Sequence, residues 1–283
     1  MTLDLIEKVT AVGPASLALL RARVSMQSPG LARSSLALWR SLAAALTVEQ
    51  VDAVISLGAL TAETQAVLTA GVADFAAGPL AERWRSSLRA GSRAVDTSFE
   101  LLSRERVNDW IRRRSATLIV QQTEQQRAAV RALLSSSAEG DRRVLSAALR
   151  ATVGLTERQA RALATLSNTL VEDGAPVERR RAILERAASR AQRIRAQRIA
   201  RTELASAFNG GVEESIAGAL DSGAISGNVV KTWRRQNDER SKCDVCKNLD
   251  GDSVALGSTF AGGFETPPAH PNCRCVLLYQ VTK

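Results

Sequence analysis

The chain has 283 residues, of which 45% are hydrophobic, so it can bury a core and a wholly disordered chain is excluded. Lysine and arginine outnumber aspartate and glutamate by 38 to 29, and the resulting net charge of +9 favours an anionic partner. The first ten residues include two acidic side chains where a secretory signal would be cationic, and no long apolar run follows. We therefore expect no membrane span and synthesis in a reducing cytosol, where cysteines are thiols or metal ligands.

Helix-forming residues dominate up to about residue 200, whereas half of the 18 glycines lie beyond residue 209. Start and stop signals occur at Ser28-Pro29, Gly78-Pro79, the capping box from Thr156 to Gln159, and Asp173-Gly174. These signals predict helices at 2–25, 30–57, 61–77, 80–136 with a split near Gly91, 141–151, 155–172 and 176–219. Because the apolar pattern is not sustained as heptads, residues 1–175 are predicted to form an extended helical arm or bundle.

The last part of the chain, at about 229–280, is predicted to be a small α+β module. Val276–Tyr279 is typical of a closing strand, and Val229–Trp233 of its antiparallel partner. Between them lie many glycines and prolines and few large apolar residues, so this module lacks material for a core of its own. A bound metal contributing on the order of 10 kcal/mol would replace that core.

All four cysteines and the single histidine lie in this module. Cys243 and Cys246 form a C-x-x-C pair, in which two thiolates reach one metal from a tight turn. Cys273 and Cys275 are two residues apart, so in an extended strand both project to one side. The first interpretation is a structural zinc site of four thiolates. In the second, His270 replaces one member of the second pair, and the alternative to both is a set of buried reduced thiols.

The segment from Glu178 to Arg201 carries nine arginines against two glutamates. On a helix, Arg186, Arg190 and Arg193 share one face that could follow a phosphate backbone. Ile183, Ala187, Ala191 and Ile194 are predicted to form the apolar face beside it. The candidate residues for binding nucleic acid or a partner are Arg179, Arg186, Arg190 and Arg193. The alternative is a solvated helix face, or one that pairs with acidic residues of a partner subunit.

Signatures of catalysis are weak, and we expect no enzymatic activity. A zinc deaminase needs a glutamate two residues after its histidine, but His270 is followed by Pro271 and Asn272. No H-E-x-x-H, P-loop or G-x-S-x-G motif occurs. A metal-dependent nuclease would need further histidines or asparagines, and it is kept only as a lesser alternative.

Several short motifs occur in one order along the last third of the chain. They are Ala200-Arg-Thr-Glu203, Asn209, Lys231-Thr-Trp233, Asp238-Glu-Arg240, Cys243-x-x-Cys246, Leu249-x-Gly251 and Pro267-Pro-Ala-His270-Pro-Asn-Cys273-Arg-Cys275. This pattern, over about 180–280, resembles the phage head morphogenesis domain of the phage Mu F-like minor head protein family. Residues 176–283 are accordingly predicted to be that domain.

The resemblance implies a minor capsid protein of a tailed bacteriophage, assembled in the host cytoplasm and placed in the capsid interior at the portal vertex. It implies that the partners are the portal protein, the major capsid or scaffold protein and packaged double-stranded DNA, with an oligomer around the portal as a further expectation. The role would be head assembly, DNA packaging or DNA delivery. The alternative is a zinc-containing, non-specific DNA-binding accessory protein.

Other residues in the matching motifs have predicted structural roles. Arg201 and Glu203 are expected to anchor the long helix to the zinc module through salt bridges. Trp233 is expected to be a core residue, and Asp238 and Arg240 to hold the loop that enters the C-x-x-C pair. Asn209-Gly210-Gly211 is interpreted as a kink or a close helix contact.

Overall fold

The computed structural model describes residues 12–95, 102–136, 142–235 and 243–282, and it is mainly helical. The helices are α1 (Val12–Ala45), α2 (Val48–Leu57), α3 (Ala62–Phe75), α4 (Ala81–Val95), α5 (Arg104–Ser136), α6 (Arg142–Ala151), α7 (Glu157–Glu172), α8 (Val177–Asp221) and α9 (Asp244–Leu249). The strands are β1 (Asn228–Arg234), β2 (Ser253–Ala255) and β3 (Val276–Thr282). Within these ranges no single helix is long and apolar enough to cross a membrane; only the pair 48–57 and 62–95, bent by 119°, passes that test when taken together.

The predicted helix starts are confirmed where a capping signal decides them. Thr156 caps α7, with its hydroxyl accepting from the Gln159 amide and the Gln159 side chain accepting from the Thr156 amide. The same capping box, between Thr47 and Gln50, begins α2. The predicted single helix over 30–57 is therefore wrong, and the signal that divides it was present in the sequence.

The predicted helix break at Ser28-Pro29 is also wrong, because α1 continues through Pro29. Leu20 before the proline and Leu31 after it are both buried, so packing on either side outweighs the missing backbone hydrogen bond. The predicted break at Gly78-Pro79 is not a gap in helical structure either, since a π-helical turn over Ala76–Leu80 joins α3 to α4.

The chain forms two compact units, each made of residues that contact one another more than they contact the other unit. The first unit contains the described residues within 1–29, 81–113 and 198–283, and the second those within 30–80 and 114–197. Each unit is thus assembled from separate segments. The sequential division into 1–175 and 176–283 stays a prediction.

The first unit contains a three-stranded antiparallel sheet in the order β2-β1-β3. Trp233 of β1 lies opposite Leu277 of β3, which confirms the predicted pairing of these strands. Trp233 is fully buried, as predicted, and its ring meets Phe260 edge to face at 5.2 Å between centroids. Phe208 and Ile216 of α8 belong to the same hydrophobic cluster, so the sheet packs on the long helix.

In the second unit, Leu155, Leu163 and Leu184 form a core with Val144 and Ala188. The predicted apolar face of the arginine-rich helix is confirmed in part, because Ala187 and Ala191 pack against this core. Its most buried residues are Leu184 and Ala188, which were not predicted, and Ile194 is wrong because it is 49% exposed.

Candidate metal centre

A tight turn, His270-Pro271-Asn272-Cys273, presents two of the predicted ligands. The Cys273 amide donates to the His270 carbonyl at 3.0 Å, and Asn272 has a φ of 63°. Proline at the second position and asparagine with positive φ at the third are the residues that a type II turn favours. The sequence therefore encodes locally how His270 and Cys273 come to lie side by side.

The C-x-x-C pair lies at the start of the short helix α9. Cys243 is the residue before its first turn, and Cys246 lies three positions later, so both side chains can occupy one side of that turn. Cys246, Cys273 and Cys275 are buried, whereas Cys243 and His270 are half-buried. Among these five residues, Cys243 and His270 are the ones with the most exposed surface.

The structure brings all five predicted ligands together in two groups that share Cys246. One group is Cys243, Cys246 and His270, and the other is Cys246, Cys273 and Cys275. Within each group the ligand atoms lie within 4.8 Å of one another. The Sγ atoms of Cys246 and Cys273 are 3.7 Å apart, close to the edge of about 3.8 Å that two 2.3 Å Zn–S bonds give in a tetrahedron.

His270 has a defined orientation in this centre. Its Nδ1 lies 2.9 Å from the carbonyl oxygen of Pro271, which can only accept, so Nδ1 carries the proton. The other nitrogen, Nε2, lies 3.0 Å from the Sγ of Cys246. A neutral imidazole held through Nδ1 with its free nitrogen facing thiols is the usual arrangement of a metal-binding histidine.

The three buried thiols hydrogen-bond to one another. Hydrogen bonds from the Cys246 and Cys275 thiols lower the pKa of Cys273 below its ordinary value, because they stabilise its thiolate. Donation to Cys273 and Cys275, together with burial, raises the pKa of Cys246 above its ordinary value. A metal ion that binds these sulfur atoms would displace thiol protons. The donor set fits a thiophilic metal ion held by protein ligands alone.

A buried ion pair next to the sheet was not recognised from the sequence. Lys231 on β1 is fully buried, and its Nζ donates to Glu213 at 2.7 Å and to the Glu265 carbonyl at 2.9 Å. The Tyr279 hydroxyl of β3 donates to the other Glu213 oxygen at 2.6 Å. The available signal was a lysine at an inward-facing position between Val229 and Trp233, where β1 alternates.

The remaining predicted structural residues are found in different settings. Arg201 is exposed on α8, and Glu203 on the same helix is buried. Their anchoring role stays a prediction. Asp238 and Arg240 lie outside the described residues.

Asn209-Gly210-Gly211 lies within α8, which is continuous from Val177 to Asp221, and the glycines make the predicted close helix contact. A Cβ on Gly211 would collide with the backbone of Leu88 in α4, and a Cβ on Gly91 with the backbone of Phe208 in α8. The two helices therefore touch through paired glycines. This contact explains why Gly91 does not split α4.

Residues 171–278, which contain the candidate metal centre, α8, β1, β2 and the start of β3, match the family model described as Phage Mu protein F like protein. This segment is therefore similar to the phage Mu F-like family. Such a domain indicates a phage head morphogenesis protein. No curated protein and no solved structure matches the chain.

The Mu F-like domain includes the arginine-rich part of α8. The four predicted binding residues are all exposed there: Arg179, Arg186, Arg190 and Arg193. Arg195 differs, because it is 5% exposed, lies over the Trp39 ring and donates to Gln122 at 2.8 Å. Burial lowers its pKa to about 10. One arginine of the segment thus has a packing role, and the exposed four remain available to a partner.

Proposed function

We propose that this chain is a minor head protein of a tailed bacteriophage, located in the capsid interior at the portal vertex. The observation that carries the proposal is the Mu F-like match over residues 171–278. That family is one of structural head morphogenesis proteins, so the role is structural and not catalytic. The chain would aid head assembly, DNA packaging or DNA delivery.

The metal centre in this proposal is a structural zinc site. Zinc prefers four nitrogen or sulfur ligands in a tetrahedron, and the five donors here offer only those atoms. A set of three thiolates with His270 is favoured by the orientation of the imidazole, since Nε2 faces Cys246. Four protein ligands leave no open position for substrate, which supports a role in holding the fold.

The proposed partners are the portal protein, the major capsid or scaffold protein and packaged double-stranded DNA, with several copies arranged around the portal. The exposed arginines of α8 support the DNA contact. Arg186, Arg190 and Arg193 lie within two turns of helix, and Glu185 beside them pairs with Arg181 at 2.9 Å. The carboxylate nearest to this face in sequence is therefore paired with an arginine outside it.

Mass spectrometry of purified procapsids and mature heads tests the proposal. We expect the chain in both particles, at a copy number far below that of the major capsid protein. Affinity purification of the portal protein from infected cells should recover it together with the portal. Absence from both particles would exclude a head protein, whatever its affinity for DNA.

A second candidate function is a non-specific DNA-binding accessory protein that acts outside the capsid. The exposed arginines of α8 favour it, because phosphate binding needs no other feature. The same particle preparations separate the two functions. An accessory protein would be found on DNA in the lysate and be missing from DNase-treated heads.

A further inference from the structure

A cleft of about 670 Å³ lies beside the metal centre, entirely within the first unit. Three segments line it: the part of α1 from Leu20 to Pro29, a short stretch of α8, and the turn that carries His270 and Cys273. The lining residues are Leu20, Arg21, Val24, Ser25, Ser28, Pro29, Arg201, Ala205, Asn272, Cys273 and Arg274. Polar side chains from all three segments line it.

Positive charge distinguishes this cleft. Arg21, Arg201 and Arg274 each contribute a guanidinium, and none of the lining residues is acidic. A guanidinium presents paired N–H groups that match two oxygens of a phosphate, and three from separate segments can surround one anion. The hydroxyls of Ser25 and Ser28 add neutral donors. We propose that this cleft binds phosphate groups, supplied either by free phosphate or by a nucleic-acid backbone.

The geometry also couples the cleft to the metal centre. Asn272, Cys273 and Arg274 all line the cleft, and Cys273 also belongs to the candidate metal centre. The Asn272 amide donates to the Thr202 hydroxyl at 3.1 Å, which fixes the turn against α8 next to Arg201. A metal that holds Cys273 would therefore also hold the wall of the cleft that carries Asn272 and Arg274. Loss of the metal should weaken anion binding although no cleft residue has changed.

The test uses the full-length, zinc-loaded chain, with calorimetric titration of inorganic phosphate and anisotropy of a short labelled duplex DNA. Arg201→Gln with Arg274→Gln should weaken phosphate binding by roughly tenfold or more. The matched control is Arg85→Gln with Arg89→Gln, two exposed arginines of the first unit that do not line the cleft. The control should bind phosphate as the parent does.

The two sources of phosphate are separated by competition. If inorganic phosphate displaces duplex DNA from the parent but not from the cleft variant, the ligand is a phosphate of the DNA backbone. If phosphate binds and DNA does not disturb that binding, the ligand is a free anion. Because Arg274 adjoins two predicted ligands, zinc content is measured for every variant. If the variant with Arg201→Gln and Arg274→Gln lacks zinc, the variant with Arg21→Gln and Arg201→Gln is used in its place. The proposal is overturned if the parent binds neither probe, or if cleft and control variants bind both equally.

Discussion

The ammonium group of Lys231 lies 2.7 Å from a carboxylate oxygen of Glu213, although the lysine side chain has no exposed surface. The pair joins β1 to α8, and Tyr279 adds β3 through the second carboxylate oxygen. A buried charge of this kind is tolerated only while it is paired. The sheet of the Mu F-like domain is therefore fixed to its long helix by charge as well as by apolar packing.

Removing one partner of this pair should destabilise the protein strongly. We expect Lys231→Met to lower the free energy of unfolding by about 3 kcal/mol or more, because Glu213 is left without its counter-charge. Urea denaturation measures the change. The control, Arg161→Met, removes an exposed arginine that pairs with Glu157 and should change stability by less than about 1 kcal/mol. Equal effects of the two variants would contradict the prediction.

Tyr279 predicts a loss of stability in alkaline solution. Burial, with the Glu213 charge and hydrogen bond, raises the pKa of Tyr279 well above 10.0. The Tyr279 hydroxyl then holds its proton more tightly in the folded state than in the unfolded state. The contribution of Tyr279 to the free energy of unfolding is therefore complete below about pH 10 and declines as the pH rises further. Because Tyr279 is the only tyrosine, tyrosinate absorbance reports it directly. A phenol that titrates in the native protein near pH 10 would contradict the assignment.

Cys246 should be indispensable for metal binding, since it belongs to both groups of donors. Metal analysis of the purified chain should find about one equivalent of zinc, and Cys246→Ser should lose it.

His270→Ala should also lose zinc or bind it much more weakly, because Nε2 is oriented towards the sulfur atoms. Retention of a full equivalent by His270→Ala would instead support the four-thiolate set. Thiolate charge-transfer bands of the cobalt-substituted protein count the sulfur ligands.

The exposed arginines of α8 should bind duplex DNA without sequence preference. Replacing Arg186, Arg190 and Arg193 by Gln should reduce the slope of log affinity against log salt by about 2 to 3, because each arginine that neutralises a phosphate contributes roughly one unit. The matched control replaces Arg33, Arg40 and Arg131, three other exposed arginines of the second unit. If the two triple variants give the same slope, the α8 arginines do not bind phosphate.

The glycine contact between α4 and α8 predicts a sharp difference between two similar substitutions. Gly211→Ala should destabilise the protein by about 2 kcal/mol or more, because the new methyl meets the backbone of Leu88. Gly78→Ala meets no atom within 4 Å and should leave stability unchanged or raise it by up to about 1 kcal/mol. Thermal unfolding of both variants checks the prediction. A well-tolerated Gly211→Ala would show that the helices are not in backbone contact.

Local chemistry in the sequence determined the helical class, the capped helix starts and the pairing of β1 with β3. It also identified the five side chains that the structure brings together and that could hold a metal ion, because the C-x-x-C spacing and the His-Pro-Asn-Cys turn act over a few residues. The family resemblance rested on the same short motifs. These features need no information about distant residues.

Only tertiary packing decided the features that depend on residues far apart in the chain. Leu20 and Leu31 hold α1 continuous through Pro29, and the glycine contact with α8 keeps Gly91 within a continuous helix. Burial made Arg195, one of the nine arginines of its segment, a core residue over Trp39. Lys231 finds its carboxylate on Glu213 because the strand folds back on the helix, and the pattern of β1 alone does not identify that partner. The free energy of such interactions depends on which surfaces meet, and a local pattern does not contain that information.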